Sequence, residues 1–363
     1  MSRFRMVGRI AAGLAATGLA LGLATAPAAA DPVGPPTYRD LAGAGSDTTQ
    51  DVNNALAAAI QIGGSPVLGS YDARGSATVS PKADAHCQDI YRPNGSSDGR
   101  NALIASIQGV GYKGDPDISG CWDFARSSSA PPASELSPDG DLTYIPLALD
   151  GVGYATLSTS YLPGNLTVAE LQKIYKCETT HFFGQPITPL LPQSGSGTRS
   201  FWLETMGITE AQLAAGDYPC IDQRGDTIQE HDGTALTGNG QIVPFSVARY
   251  IAQGNSLPGV ADRRGNAVLR NVNGVSATVT ENGKVVANPA FPITRTVYTI
   301  VPTAAVTDPS HPKYQLINDV FVDDGTSGDT ALVPHATGII QDYGFALAPD
   351  AGDTSLRAYP NII

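Results

Sequence analysis

Three times along this chain a run of glycine, serine and threonine leads directly into a helix-compatible stretch. The runs are Gly43-Ala44-Gly45-Ser46-Asp47-Thr48, Gly95-Ser96-Ser97-Asp98 and Gly195-Ser196-Gly197-Thr198. The first turn of a helix has unpaired N–H groups, and the helix dipole adds about half a positive charge there. Small residues let the backbone approach a ligand closely, and hydroxyls add rotatable donors. One such loop is an ordinary cap. Three of them, with the serines that follow Arg126, point to a negatively charged ligand gathered by several helix starts.

The first thirty residues read as a secretory leader. Arg3, Arg5 and Arg9 precede an apolar Ala/Leu/Gly run, and Ala28-Ala29-Ala30 offers a cleavage site before Asp31. The apolar run is short for a membrane span. No cysteine lies near the cut, so no lipid-anchor site is expected and the mature chain should be secreted. The remaining residues, about 330, favour two domains over one core. The chain carries a formal charge of -12, and losing the leader's arginines makes it more acidic. That balance argues against nucleic acid or an anionic membrane as partner. A small anion held by neutral donors remains compatible with it.

Four cysteines, Cys87, Cys121, Cys177 and Cys220, suggest disulfides in an exported chain. Three pairings are open; the most local, Cys87–Cys121 and Cys177–Cys220, is expected. A metal site built on Cys177 and His181 lacks a second closely spaced ligand pair, and no metal or cofactor is expected.

Strand-like and helix-like segments alternate, which indicates α/β layers. A strand and a helix starting near Asp47, with Ser46 or Asp47 as N-cap, are expected first. A second helix should follow Gly95 and run to about Ile107. Thr167 and Glu170 form a capping box for the helix in "LTVAELQKIYKC". Asn282-Gly283 supplies a hairpin turn. Trp122 and Trp202 are expected in the core, and Asp98 as a cap or a solvated residue. Two strand-like segments, 145–149 and 293–300, are candidates for paired crossings between two lobes.

The ordered motifs "GAGSDTTQDV", "NGSSDGRNALI", "DFARSSSAPPASEL", "LTVAELQKIYKC", "SGSGTRSFWL" and "PITRTVYTIV" resemble those of the secreted substrate-binding proteins of phosphate-type ABC importers. The resemblance covers most of the mature chain. It implies a two-lobed, type II periplasmic-binding-protein-like α/β fold, with a mixed sheet and flanking helices in each lobe and two hinge crossings. Lobe I would be 31–145 with 294–363, and lobe II 146–293. A phosphate-like oxyanion would sit in the cleft, closed around by hinge motion. By motif, Asp47, Thr48, Ser96, Ser128 or Ser129, Ser196, Gly197 and Thr198 fall at the family's contact positions.

The sequence departs from that pattern twice. Serine stands where the family places the aspartate that accepts the proton of hydrogen phosphate, so Asp47 or Asp98 would have to supply an acceptor. Where an arginine usually precedes the Gly-Ser-Gly-Thr run, this chain reads Pro192-Gln193-Ser194. Gln193 then becomes a contact candidate, and Arg199 or Arg126 would restore the charge, since a guanidinium suits tetrahedral oxyanions. The implied function is non-catalytic phosphate binding by a monomer, with an importer permease as partner. One alternative is an extracellular interaction protein that kept the fold and lost the ligand. The other is a secreted hydrolase using Ser196, for which "GSG" does not match the G-x-S-x-G elbow.

Overall fold

The computed structural model describes residues 31–359, except 33, 324 and 326–330; the expected leader lies outside the described residues. In chain order the elements that matter are β1 (Leu41–Gly45), α1 (Gln50–Ala59), β2 (Leu68–Ser70), α2 (Ser96–Gln108), β3 (Phe124–Ser127) and β4 (Leu142–Leu157). They continue with α3 (Val168–Tyr175), β5 (Thr188–Pro189), α4 (Gly197–Met206), α5 (Glu210–Ala215), β6 (Gln241–Ser246), α6 (Val247–Gly254), β7 (Thr294–Pro302) and α7 (Tyr314–Phe321).

The main sheet runs β5-β6-β4-β7-β3-β1-β2. It is mixed: β1 pairs parallel with β2 and β3, whereas β7 is antiparallel to both β3 and β4. β4 is the longest strand and pairs with neighbours on both of its sides. At about 3.3 Å per residue it is some 50 Å long, far beyond an ordinary strand. Its first part, Leu142 to Gly151, pairs with β7; its second part, Val152 to Ala155, pairs with β6. Pro146, which cannot donate to a ladder, pairs with Tyr298 at the register shift, beyond which Val297 pairs with Ala148.

Alternation along β1 and β3 builds a core on each sheet face. Leu41 and Phe124 pack with Val52, Leu56 and Phe321 on one side; Ala42, Ala44 and Ala125 pack with Leu103, Ile104 and Trp122 on the other. Gly43 is required there, because a Cβ would lie 2.3 Å from the Phe124 ring. The far end of β4 contributes Val152 and Tyr154 to a third core, with Leu171, Tyr175, Trp202, Met206 and Ile251. Both tryptophans are thus interior, as expected.

Local signals held well. Thr167 and Glu170 form the capping box. Thr278–Glu281 and Lys284–Ala287 make the hairpin around Asn282-Gly283, both of which adopt positive φ. The disulfides are Cys87–Cys121 and Cys177–Cys220. One start was misplaced: α1 begins at Gln50 with Thr49 before it, not at Ser46 or Asp47. Those two side chains make contacts elsewhere, Ser46 with Ser128 and Asp47 with Arg74. Among the described residues no helix is long and apolar enough to cross a membrane.

Candidate functional site

The three small-residue loops meet at the centre of the molecule. Thr48 follows β1, Ser96 opens α2, Ser128 follows β3, and Ser196-Gly197-Thr198 opens α4; the four hydroxyl residues Thr48, Ser96, Ser196 and Thr198 are all buried. Thr48 Oγ1 lies 3.3 Å from Thr198 Oγ1. Ser128 Oγ lies 3.2 Å from Ser96 Oγ and accepts from Ser46 Oγ at 3.0 Å. The Ser97 N–H donates to Gly195 O at 3.3 Å, tying the α2 start to the α4 start. At Gly197 the approach is tighter still: a Cβ would fall 2.2 Å from Ser96 Oγ and 2.4 Å from Ser128 Oγ.

Arg295 supplies the cation. It donates through Nη2 to Thr198 Oγ1 at 2.9 Å and to Thr48 Oγ1 at 3.3 Å. Across the β4–β7 ladder it faces Asp150, whose Oδ2 accepts from the same nitrogen at 3.0 Å. Asp150 Oδ1 also takes the Ser246 hydroxyl and the Ala248 N–H, so the carboxylate is fixed from both sides. Arg295 Nη1 is buried without a partner, and its guanidinium lies 5.6 Å over the Phe201 ring.

Two residues not singled out from sequence complete the cluster. Thr48 Oγ1 donates to Glu230 Oε2 at 3.1 Å and sits 2.9 Å from His231 Nε2. The Thr198 N–H, in the first turn of α4, points to Glu230 Oε1 at 3.4 Å. The Ser246 N–H donates to His231 Nδ1, which leaves Nε2 as the ring's donor toward Glu230, 3.2 Å away. Burial alone would raise the Glu230 pKa. The hydrogen bond from His231, the Ser196 hydroxyl and the charge of Arg295 outweigh it and bring the carboxyl down to about 2.

Outside this centre lies a ring of paired charges. Arg249 pairs with Asp51 and lies 3.9 Å from Asp47. Arg74 reaches Asp47 at 3.2 Å and Asp232 at 3.6 Å. Asp47, Glu230 and His231 bring ligating atoms within 4.8 Å of one another, but Arg74 and Arg249 already engage Asp47. The other such group, His86 with Cys87 and Cys121, has both sulfurs in a disulfide.

The remaining sequence candidates sit off the centre. Arg199 turns back: Glu210 of α5 takes its Nε and Nη2 at 2.7 Å each, and Pro192 O takes Nη1. Arg126 is fully buried beneath the site, donating to Ser70 Oγ and Ser46 O, so it braces the first loop rather than reaching into the cluster. Burial lowers its pKa to about 10, against the pull of Asp72, Asp47 and Asp51. Gln193 Oε1 accepts from Gln229 beside it in the same lobe, where the Gln193 N–H also donates to Ile228 O. Ser129 lines a neighbouring cavity of about 620 Å³ with Arg100, Pro131, Tyr144, Phe201 and Arg295. Asp98 is not the cap, which is Gly95; it lies in the first turn of α2, where its carboxylate accepts the Asn94 N–H at 2.9 Å and the Tyr112 hydroxyl. The charge expected from Arg126 or Arg199 therefore comes from Arg295. Its signal was present in the sequence: Arg295 is in phase with Val297 on the inward face of β7.

Among solved structures, a putative phosphate ABC transporter substrate-binding protein with bound phosphate from Clostridium perfringens is similar. It shares 14% identity and a TM-score of 0.50, over 85% of this chain and 99% of that one. An ABC-type phosphate transport receptor from Vibrio cholerae shares 15% identity and a TM-score of 0.48, over 85% and 100%. At such identity the first likeness speaks for the fold, two lobes of mixed sheet with flanking helices. Comparison with curated proteins finds no match. A profile of the PBP superfamily domain matches residues 30–319, most of the sequence, and the chain belongs to that superfamily.

Proposed function

We propose that the protein is a non-catalytic solute-binding protein that takes up inorganic phosphate, or a closely similar oxyanion, in the cleft between its lobes. The lobes are 31–145 with 294–363, and 146–293, and β4 with β7 forms the hinge. The observation that carries the reading is the convergence of Thr48, Ser96, Ser196 and Thr198 with Arg295 at one buried point. Hydroxyls, helix-start N–H groups and one guanidinium are the donor set a tetrahedral oxyanion requires. Asp47 and Ser128 border the point, and Gly197 lets the two sides close. The similar structure from Clostridium perfringens, which holds bound phosphate, agrees with this class of ligand. After its leader is removed behind Ala30, the chain acts outside the membrane as a monomer, with an importer permease as partner.

Equilibrium dialysis of the purified protein against radiolabelled phosphate tests this. Saturable binding, with a chromogenic phosphate ester left uncleaved, is expected. A folded protein that takes up no phosphate overturns the reading. A second reading is favoured by one observation: Glu230 already satisfies part of the donor set. On that reading the protein is an extracellular interaction protein that kept the fold without the ligand.

A further inference from the structure

We propose that Glu230 is an internal anion, whose carboxylate occupies the point where the cleft donors converge and competes there with any external oxyanion. This rests on the oxyanion reading of the cleft and adds to it the residue that sets its affinity. The Thr48 hydroxyl and the Thr198 N–H, from opposite sides of the cleft, both point at the Glu230 carboxylate. His231 Nε2 stands 3.2 Å from the same group. A hydroxyl and a helix-start N–H are partners an oxyanion would use, and one carboxylate takes both, while Arg295 donates to the same two threonine hydroxyls beside it. Glu230 is 3% exposed, so the carboxylate belongs to the interior and is not a surface group straying inward.

The loop is held so that the carboxylate stays in place. Arg74 Nη2 donates to the Glu230 backbone carbonyl at 2.5 Å, and Gln253 Nε2 donates to the His231 carbonyl at 3.0 Å. Asp232 lies 3.6 Å from Arg74. Closing the cleft brings the Gly197 Cα side against Ser96 and Ser128 with no gap for a further group. An external oxyanion therefore enters only when the lobes part and the carboxylate withdraws.

A tethered group competes at an effective concentration in the millimolar range or above. Apparent affinity for an external ligand falls by the fraction of molecules whose pocket is free. Glu230 thus makes the protein respond only to a ligand that is abundant or that binds the donors better than a carboxylate does.

The test compares the wild-type chain with Glu230→Ala and Glu230→Gln by dialysis against radiolabelled phosphate, and by thermal unfolding with and without millimolar acetate. Glu230→Ala is expected to bind phosphate about tenfold or more tightly than wild type. Acetate, which restores the missing carboxylate, should raise the Tm of Glu230→Ala and leave the wild type unchanged. Phosphate affinity in Glu230→Ala equal to or below that of wild type overturns the proposal. If no protein binds phosphate, the acetate response decides: a raised Tm in Glu230→Ala keeps the internal anion and removes the phosphate reading, and no response removes the internal anion as well. If Glu230→Ala does not fold, Glu230→Gln keeps the shape without the charge; tighter phosphate binding supports the proposal, and unchanged, weaker or absent binding overturns it.

Discussion

The side-chain oxygens of Thr48 and Thr198, 150 residues apart in sequence, lie 3.3 Å from each other with Arg295 Nη2 donating to both. Each threonine lies where a small-residue loop enters a helix, and the two helices pack into different cores, Val52 and Leu56 in one and Trp202 and Met206 in the other. The pair is thus one of the contacts between these two parts of the chain, beside the Ser97 N–H to Gly195 O bond and the Arg249–Asp51 pair.

Replacing Thr198 by Val keeps the volume and removes one of those oxygens. A hydrogen bond to a charged group is worth about 1.5–3 kcal/mol. Thr198→Val should therefore weaken phosphate binding about ten- to a hundredfold, read by equilibrium dialysis. The α4 start keeps its N–H groups, so circular dichroism should be unchanged.

Asp150 and Arg295 face each other across β4 and β7, at 0% and 5% exposure. Breaking a buried pair leaves a charge without its counterpart, which costs about 3–5 kcal/mol. Asp150→Ala also strands the Ser246 hydroxyl and the Ala248 N–H. Urea unfolding should show a loss of at least about 3 kcal/mol. A loss below about 1 kcal/mol would mean that water or a neighbour takes over the carboxylate's role.

Asp72 predicts a pH effect. Burial raises its pKa from 3.8 to about 6, against the hydrogen bond from Asn54 and the charge of Arg126. Its folded form thus binds a proton more tightly than the unfolded chain does. Stability from this group is gained as pH falls from about 6 toward 3.8, and lost as pH rises through 6. Asp72→Asn removes the burial cost and can still accept from Asn54. At pH near neutrality the variant should be more stable than wild type, by up to about 3 kcal/mol, and the gap should close in mildly acid solution. Glu230 acts in the opposite direction and at lower pH. Its folded value, about 2, lies below the ordinary 4.5, so its contribution is lost only as pH falls through that interval. Urea midpoints measured across this range separate the two.

The Cys177–Cys220 bond closes a loop of sequence separation 43 around α4 and α5. Loop-closure entropy gives about 4 kcal/mol for such a length. A double Cys→Ser variant should lose stability on that scale in urea, with Trp202 fluorescence as the local probe.

How much of this was legible in the sequence follows from the range over which each signal acts. The Thr167–Glu170 box and the Asn282-Gly283 turn are made by neighbours within four residues, and both were readable. The site hydroxyls were readable because a small-residue loop before a helix is also a local pattern. Arg199 misled because its partner, Glu210, belongs to the next helix and is found only by tertiary packing. Arg295 lay in a strand whose alternation marked it as inward, but its counterpart Asp150 is 145 residues away. Glu230 and His231 fall in an irregular stretch with neither helical nor strand period, where a Glu-His pair ordinarily reads as solvated.

Gly197 gives the sharpest test of closure. Its φ lies outside the left-handed region, so alanine costs nothing in backbone strain there, and alanine is the best helix former for the start of α4. What alanine adds is a methyl group 2.2 Å from Ser96 Oγ and 2.4 Å from Ser128 Oγ. Those hydroxyls are 3.2 Å apart, and Ser96 Oγ also accepts the Ser128 N–H, so neither rotates away without losing bonds. The two sides must then part instead. Gly197→Ala should keep its helix content and unfold cooperatively, yet show a larger radius of gyration by small-angle scattering and weaker phosphate binding. A radius equal to that of the wild type would mean that the serines yield rather than the hinge, and that closure at this contact is soft.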